Sequence, residues 1–345
     1  MLKKTTLSLI LSSFAIFASS QVMAATVYKT DDTSFAVGGR VQANINSKYA
    51  SRKGEKGDIS TKARLNLKGN TKVYNDIKAL AFAEWEIAAA TSQNGKIKTR
   101  YAYVGFDSDT FGQMVFGQND TAMYNVVGKT DIFTEWGDTG NVYRDLGNSE
   151  KGLDAGRQEG QAVYHYQNKG LDLGASYQTA GLEGVESGYA LSAGYEFDFK
   201  LPFGIYAAYD NYQLEEKNNW QDKDTLAGAL TLGTFGDGFY ASAMYNYNNY
   251  EHGADKKGYE LVAAYAFENS LQFILGYENL TADGAKLVSD VVFEAQYKPA
   301  SNFKTYLLVQ CGVGDIDKVD ALNYKIGSTN ERSKDKFSIG LQYNF

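Results

Sequence analysis

The side chains with the most chemical potential in this 345-residue chain are arginines and lysines at alternating positions, together with one acid-rich stretch. Two histidines, His165 and His252, are far apart and Cys311 is the sole cysteine. That excludes a Cys/His zinc cluster and an internal disulfide, and neither histidine has a serine or aspartate setting that would make it the base for a nucleophile. Asp315, Asp317 and Asp320 are spaced for oxygen ligation of a cation, but the run lacks the loop glycine and the distal glutamate, so it reads as a solvated loop. The spacing of the bases is more informative. Arg40, Arg64, Lys98 and Arg100 each take the parity opposite to their large apolar neighbours, and Arg157 does the same further on. Asp120, Asp131, Glu135, Asp138, Asp145, Glu150 and Asp154 crowd into residues 119–156. A basic wall facing an acidic one across a narrow aqueous gap makes a transverse field. Such a field orients dipolar solutes and disfavours apolar ones.

Those positions need strands to hold them. Period-two segments recur from residue 34 to the C-terminus, separated alternately by tight turns and by longer, more charged loops. They predict sixteen strands. On the first, Arg40, Gln42 and Asn44 oppose Phe35, Val37, Val41 and Ile45. On the second, Lys62, Arg64, Asn66 and Lys68 oppose Ile59, Ala63, Leu65 and Leu67. On the fourth, Lys98 and Arg100 are expected inside, with Ile97, Tyr101 and Tyr103 outside. On the sixth, Arg157, Gln161 and His165 are expected inside. Both prolines fall in turns, where a missing N–H costs no ladder bond.

Charge shows which face is wet. Over 271–279, 287–297, 303–313 and 337–345 the odd positions carry no charge, while the intervening even positions carry Glu278, Asp290, Glu294, Lys298, Lys304 and Lys336. A β-sandwich would also alternate. However, Tyr 26 and Phe 19 in a chain that is hydrophilic on average, with no later apolar run long enough for a spanning helix, favour an inverted arrangement. The fold class expected is all-β: a sixteen-stranded antiparallel transmembrane β-barrel, apolar faces to lipid and polar faces to a lumen. Residues 119–156 are far too long for a connection and contain Met123, Val126, Val127, Ile132, Phe133 and Trp136. They are expected to fold inward as a constriction loop.

The first residues read as an export signal: Lys3 and Lys4, an apolar core from Leu7 to Ala18, and Val22-Met23-Ala24 as a small-residue cleavage site before Ala25. The expected organisation is a signal peptide at 1–24 and a single barrel domain at 25–345. Removing 1–24 takes away two lysines, leaving 32 bases against 41 acids, a formal −9. A negative chain is a poor nucleic-acid partner. Nothing in the residues asks for a cofactor or a metal.

At these residues a resemblance becomes specific. Ala63-Arg64-Leu65-Asn66-Leu67-Lys68-Gly69 is similar to A-R-L-G-F-K-G of the general diffusion porins, the enterobacterial-type trimeric porin family of the Gram-negative outer membrane. Lys98 to Gly105 resembles its K-T-R-L-A-F-A-G, and Phe111-Gly112 with Phe116-Gly117-Gln118-Asn119 resembles the strand before its constriction loop. Thr130 to Gly137 is similar to T-D-M-L-P-E-F-G at that loop's acidic tip, and Gly156-Arg157 with Val163-Tyr164 to the strand leaving it.

The resemblance implies a water-filled outer-membrane channel for passive diffusion of small hydrophilic solutes and ions, with no enzymatic step. Arg40, Arg64, Lys98, Arg100 and Arg157 would form the basic half of an eyelet, and Asp131 and Glu135 the acidic half. Asp138 and Glu86 are further acids able to join it. The resemblance also implies a homotrimer in contact with outer-membrane lipid and lipopolysaccharide, and a terminal Phe345 read by the outer-membrane assembly machinery. Thr134 replaces the family's loop proline, Asp138 stands where a second glycine is usual, and the 91–96 loop is short. A substrate-specific porin is the nearest alternative; a barrel enzyme or an adhesin is a more distant one.

Overall fold

Alternation with period two makes strands here because each segment has one face for lipid and one for water. In the computed structural model the described residues are 24–47, 58–88, 97–142, 156–180, 185–214, 222–251, 254–314, 316–317 and 335–345. The chain begins with β1 (Ala24–Lys29), β2 (Thr33–Asn46), β3 (Asp58–Tyr74), β4 (Ile77–Ala88), β5 (Ile97–Ser108) and β6 (Gly112–Asp120). A single helical turn, α1 (Tyr124–Val127), follows inside the long loop. Then come β7 (Arg157–Asn168), β8 (Leu171–Gln178), β9 (Val185–Phe197), β10 (Phe203–Leu214), β11 (Lys223–Thr234) and β12 (Asp237–Tyr250). The last strands are β13 (Lys256–Ala266), β14 (Leu271–Ala282), β15 (Ala285–Ala300), β16 (Phe303–Gly312) and β17 (Lys336–Asn344).

From β2 to β17 each strand pairs antiparallel with its neighbours in sequence, and β17 pairs back onto β2 from Ser338↔Asn46 to Asn344↔Arg40. These sixteen strands form a closed ring, which leaves no ladder edge unpaired at membrane depth. The strand missed by the sequence is β1. It pairs with the start of β2, from Ala24↔Gly38 to Lys29↔Ser34, along the part of that edge that β17 does not reach. The expected signal segment lies outside the described residues apart from Ala24, which opens β1. At the seam Phe345 and Gly39 exchange both backbone hydrogen bonds, at 2.9 and 3.0 Å. Only glycine fits there, since a Cβ on Gly39 would strike the Arg64 carbonyl and the Phe345 ring.

The inversion is plain on β17, where Phe337, Ile339, Leu341 and Tyr343 are exposed and Ser338, Gly340 and Gln342 are buried. Turn chemistry sets the register. Lys169-Gly170 and Asp283-Gly284 both take positive φ, the twist that two-residue hairpins favour. The sequence suggested a longer connection at 282–285, yet Asp283-Gly284 closes a tight turn there.

One phase expectation is corrected. A register shift between Glu84 and Trp85 pairs Trp85 with Thr99 and Glu84 with Tyr101, leaving Arg100 as an extra residue in β5. Beyond this bulge the parity inverts. Ala102, Val104 and Phe106 face outward, while Tyr101 and Tyr103 turn inward against Phe82, with ring centroids at 5.9 and 5.5 Å. Ile97, before the bulge, stays outside as expected.

Candidate functional site

The loop after β6 folds into the barrel because the wall has room for it. Ala190, Ala208, Ala227 and Ala229 line the inner face of β9 to β11, and with Met244 they receive Met123, Val126 and Val127 of the α1 turn, all buried. Burying each such side chain is worth about 1.5–3 kcal/mol. Further along, Ile132 and Phe133 pack on Tyr240, Val262, Ala264 and Ile274, and Trp136 packs on Val292, Tyr306 and Leu308. A Cβ on Gly276 would meet the Phe133 ring at 2.8 Å, so a side chain there would push the loop away. Val142 ends the described stretch among Leu280, Ala282, Leu287 and Val288.

Three threonines fasten the loop to carboxylates on the wall. Thr130 donates to Glu260 at 2.5 Å, Thr134 donates to Glu294 through its hydroxyl and its N–H, and Thr139 donates to Glu278. Glu260 stands opposite Glu278 across β13 and β14, and Glu278 opposite Asp290 across β14 and β15. A row of like charges with no cover would destabilise the sheet. Loop hydroxyls cap Glu260 and Glu278, and the Gln310 amide donates to Asp290. The sequence placed Glu278, Asp290 and Glu294 on the wet face with Lys304 and Lys336 and marked Thr134 as a departure in the loop, but it did not single out Glu260 or Gln310, nor the pairing of loop threonines with wall acids.

On the opposite side the expected bases come together. Asn344, Arg40, Arg64, Glu86 and Lys98 lie in one cross-strand row through β17, β2, β3, β4 and β5. Arg64 meets Glu86 at 2.9 Å and Glu84 at 3.9 Å; Arg100 meets Glu84 at 2.7 Å and Glu86 at 3.6 Å. Arg157 sits opposite Asp120, 3.8 Å away, and over the Tyr101 ring, whose hydroxyl donates to Asp120 at 2.5 Å. Arg40 hydrogen-bonds Gln342 at 3.4 Å. Lys98 is more exposed than these arginines.

The loop acids divide. Glu135 reaches the basic side, accepting from Lys62 at 3.0 Å and from Gln42. Asp131 accepts from Tyr124 at 2.8 Å within its own loop. Asp138 is exposed and close enough to Glu260 and Glu278 to act on them electrostatically. Asp145, Glu150, Asp154, Asp315, Asp320 and His252 lie outside the described residues. His165 contacts Asp172 at 3.0 Å. The sequence assigned no role to Lys62, Glu84, Asp120 or Tyr101. Parity did place Lys62 inward and would have found Glu84, two residues from Glu86, whereas the bulge hid Tyr101.

The chain and its barrel have known counterparts. A family model described as Gram-negative porin matches residues 7–345. The chain is 28% identical over 346 residues to "Porin-like protein L" of Photobacterium profundum, covering 95% of this chain and 96% of that one. It is 28% identical over 374 residues to "Outer membrane protein U" of Vibrio parahaemolyticus, covering all of both. Among solved structures, a Salmonella typhi OmpF complex with daunomycin superposes with a TM-score of 0.77 at 20% identity, over 93% of this chain and 100% of that one. An anion-selective porin from Comamonas acidovorans superposes at 0.68 with 15% identity, over 91% of this chain and 100% of that one.

Proposed function

This chain belongs to the Gram-negative porin family, and on that premise we propose how its lumen sorts solutes. It is an outer-membrane porin, a water-filled barrel through which small hydrophilic solutes and ions diffuse. The constriction lies where the loop from Thr121 to Val142 crosses the lumen. Its basic half comprises Arg40, Arg64, Arg100 and Arg157 with Lys98 at the margin, and its acidic half comprises Asp131, Glu135 and Asp138. Glu86 belongs to the basic half by position. The observation that carries this reading is the Lys62–Glu135 contact at 3.0 Å, which brings the tip of the loop to the strands bearing the arginines.

Transport is passive. Arg64, Arg100, Arg157 and Lys62 are paired with Glu84, Glu86, Asp120 and Glu135, an arrangement that shapes a field and activates no nucleophile. The functional unit is a homotrimer embedded in lipid and lipopolysaccharide, and assembly machinery recognises the C-terminal strand ending in Phe345. The likeness to a porin structure described as a "trimer form" supports the trimer.

Planar-bilayer recording tests the eyelet. Pure folded protein gives stepwise, ohmic current, and replacing Asp131 and Glu135 together by lysine moves the zero-current potential in a salt gradient toward anions. An unchanged potential removes both residues from the constriction.

A further inference from the structure

The arginine wall is not a bare positive surface. Glu84 and Glu86, both on β4, alternate with Arg64 and Arg100 in a four-membered cluster in which each carboxylate touches both guanidinium groups. Asp120 does the same for Arg157. Of the four arginines, Arg40 is the one without a carboxylate within 4 Å among the described residues, and Lys62 is taken up by Glu135. Six bases on the arginine side (Arg40, Lys62, Arg64, Lys98, Arg100, Arg157) stand near six acids (Glu84, Glu86, Asp120, Asp131, Glu135, Asp138), half of them on the basic wall itself, while Lys304 on the far wall donates to Thr134 of the loop at 2.9 Å. A bare wall of this kind would attract anions. Pairing cancels its field within a few ångströms, because opposite charges in contact act on a passing ion only as a short-range multipole. The field that survives comes from Arg40 and from the loop, where Asp131 is held by a neutral tyrosine hydroxyl and Asp138 is exposed and acts with Glu260 and Glu278.

Resting on the eyelet reading above, we infer that this channel prefers small cations and that Glu84 is the residue that sets the preference. Glu84 is the carboxylate deepest in the cluster: its side chain is 7% exposed against 27% for Glu86, and it makes the shortest contact in the group, to Arg100. Removing its charge leaves the cluster with a net positive charge beside the ion path. Removing the Arg100 charge does the reverse.

Zero-current potentials in a KCl gradient, measured on wild type, Glu84→Gln and Arg100→Gln, decide the matter. The wild type carries potassium in preference to chloride. Glu84→Gln lowers the potassium-to-chloride permeability ratio by at least about fourfold, since one unit charge roughly 5 Å from an ion in water changes that ion's occupancy about fourfold. Arg100→Gln raises the ratio. A purely structural role would move both variants the same way, and Arg100→Gln together with the wild-type ratio keeps the inference open to refutation if Glu84→Gln does not fold. Chloride preference in the wild type overturns the inference, as does a ratio unmoved in Glu84→Gln or opposite shifts failing to appear. Absence of current steps from folded wild type overturns the channel reading, and the inference with it.

Discussion

Arg40 and Arg64 stand directly opposite one another on β2 and β3. Like charges in that position repel, and such pairs are usually destabilising. The chain tolerates the pair because Glu86 is the next residue across the row and takes the Arg64 guanidinium at 2.9 Å, leaving Arg40 with a neutral glutamine. The same row thus holds one arginine in contact with a carboxylate and one that feels Glu84, Glu86 and Glu135 only at a distance, and the two should differ in function.

Arg40→Gln is therefore expected to reduce chloride permeability more than Arg64→Gln. The first removes a charge whose field reaches the lumen; the second removes a charge already neutralised and frees Glu86. Permeability ratios from the two variants in one salt gradient check this, and equal effects would mean that Glu86 does not screen Arg64.

The threonine fasteners should be separable from the fold. Thr130→Val and Thr139→Val keep the shape of the side chain but leave Glu260 and Glu278 without those donors. Each lost hydrogen bond to a carboxylate is expected to cost about 1.5–3 kcal/mol. The expected readouts are a lower temperature for loss of the folded form in detergent and noisier open-channel current, since a loosened loop blocks intermittently. Quiet current with unchanged stability would show that the apolar contacts of Phe133 and Trp136 suffice.

The small side chains under α1 are a condition for the loop to enter at all. Ala208→Leu or Ala229→Leu fills the space now occupied by Met123, Val126 and Val127, and overpacking of this kind costs about 1–3 kcal/mol. The loop relieves the clash by moving into the lumen, so unit conductance should fall or become heterogeneous while the barrel stays folded. Unit conductance identical to wild type would place α1 elsewhere.

An exposed turn offers a check on the barrel rim. Asp76 accepts from the Ser108 hydroxyl at 2.6 Å and from the Thr110 N–H at 3.2 Å, and these bonds hold its carboxyl below the ordinary value of 3.8. A carboxyl depressed on folding contributes stability above its unfolded pKa and loses it as pH falls through the folded one. Ser108→Ala should raise the Asp76 pKa toward 3.8, seen by side-chain titration, and its stability should approach that of wild type only in acid.

Most of the barrel was legible because strand alternation in a membrane leaves an uncharged face, as Phe337 to Tyr343 illustrate. The inward placement of Arg40, Arg64 and Arg100 was legible through parity, and the infolding of the segment bearing Asp131 and Glu135 through its length and apolar residues. Three features were not. The strand β1 is short, polar at its end and paired over six residues at most, too little for a period to register. Tyr101 was placed on the wrong face because a bulge is a backbone event whose cause, the extra residue Arg100, looks like any other strand residue. The partnership of Arg64 and Arg100 with Glu84 and Glu86 needs a register between β3, β4 and β5, which single-strand parity does not contain.

The infolded loop is tested most directly by placing a thiol on it. In a Cys311→Ser background, which removes the exposed native cysteine, Asp138→Cys is treated with a bulky charged thiol reagent during single-channel recording. A loop crossing the lumen predicts an abrupt, lasting drop in unit current for each modified channel, reversed by a reducing agent. Modification confirmed by mass with no change in unit current would contradict the infolded constriction.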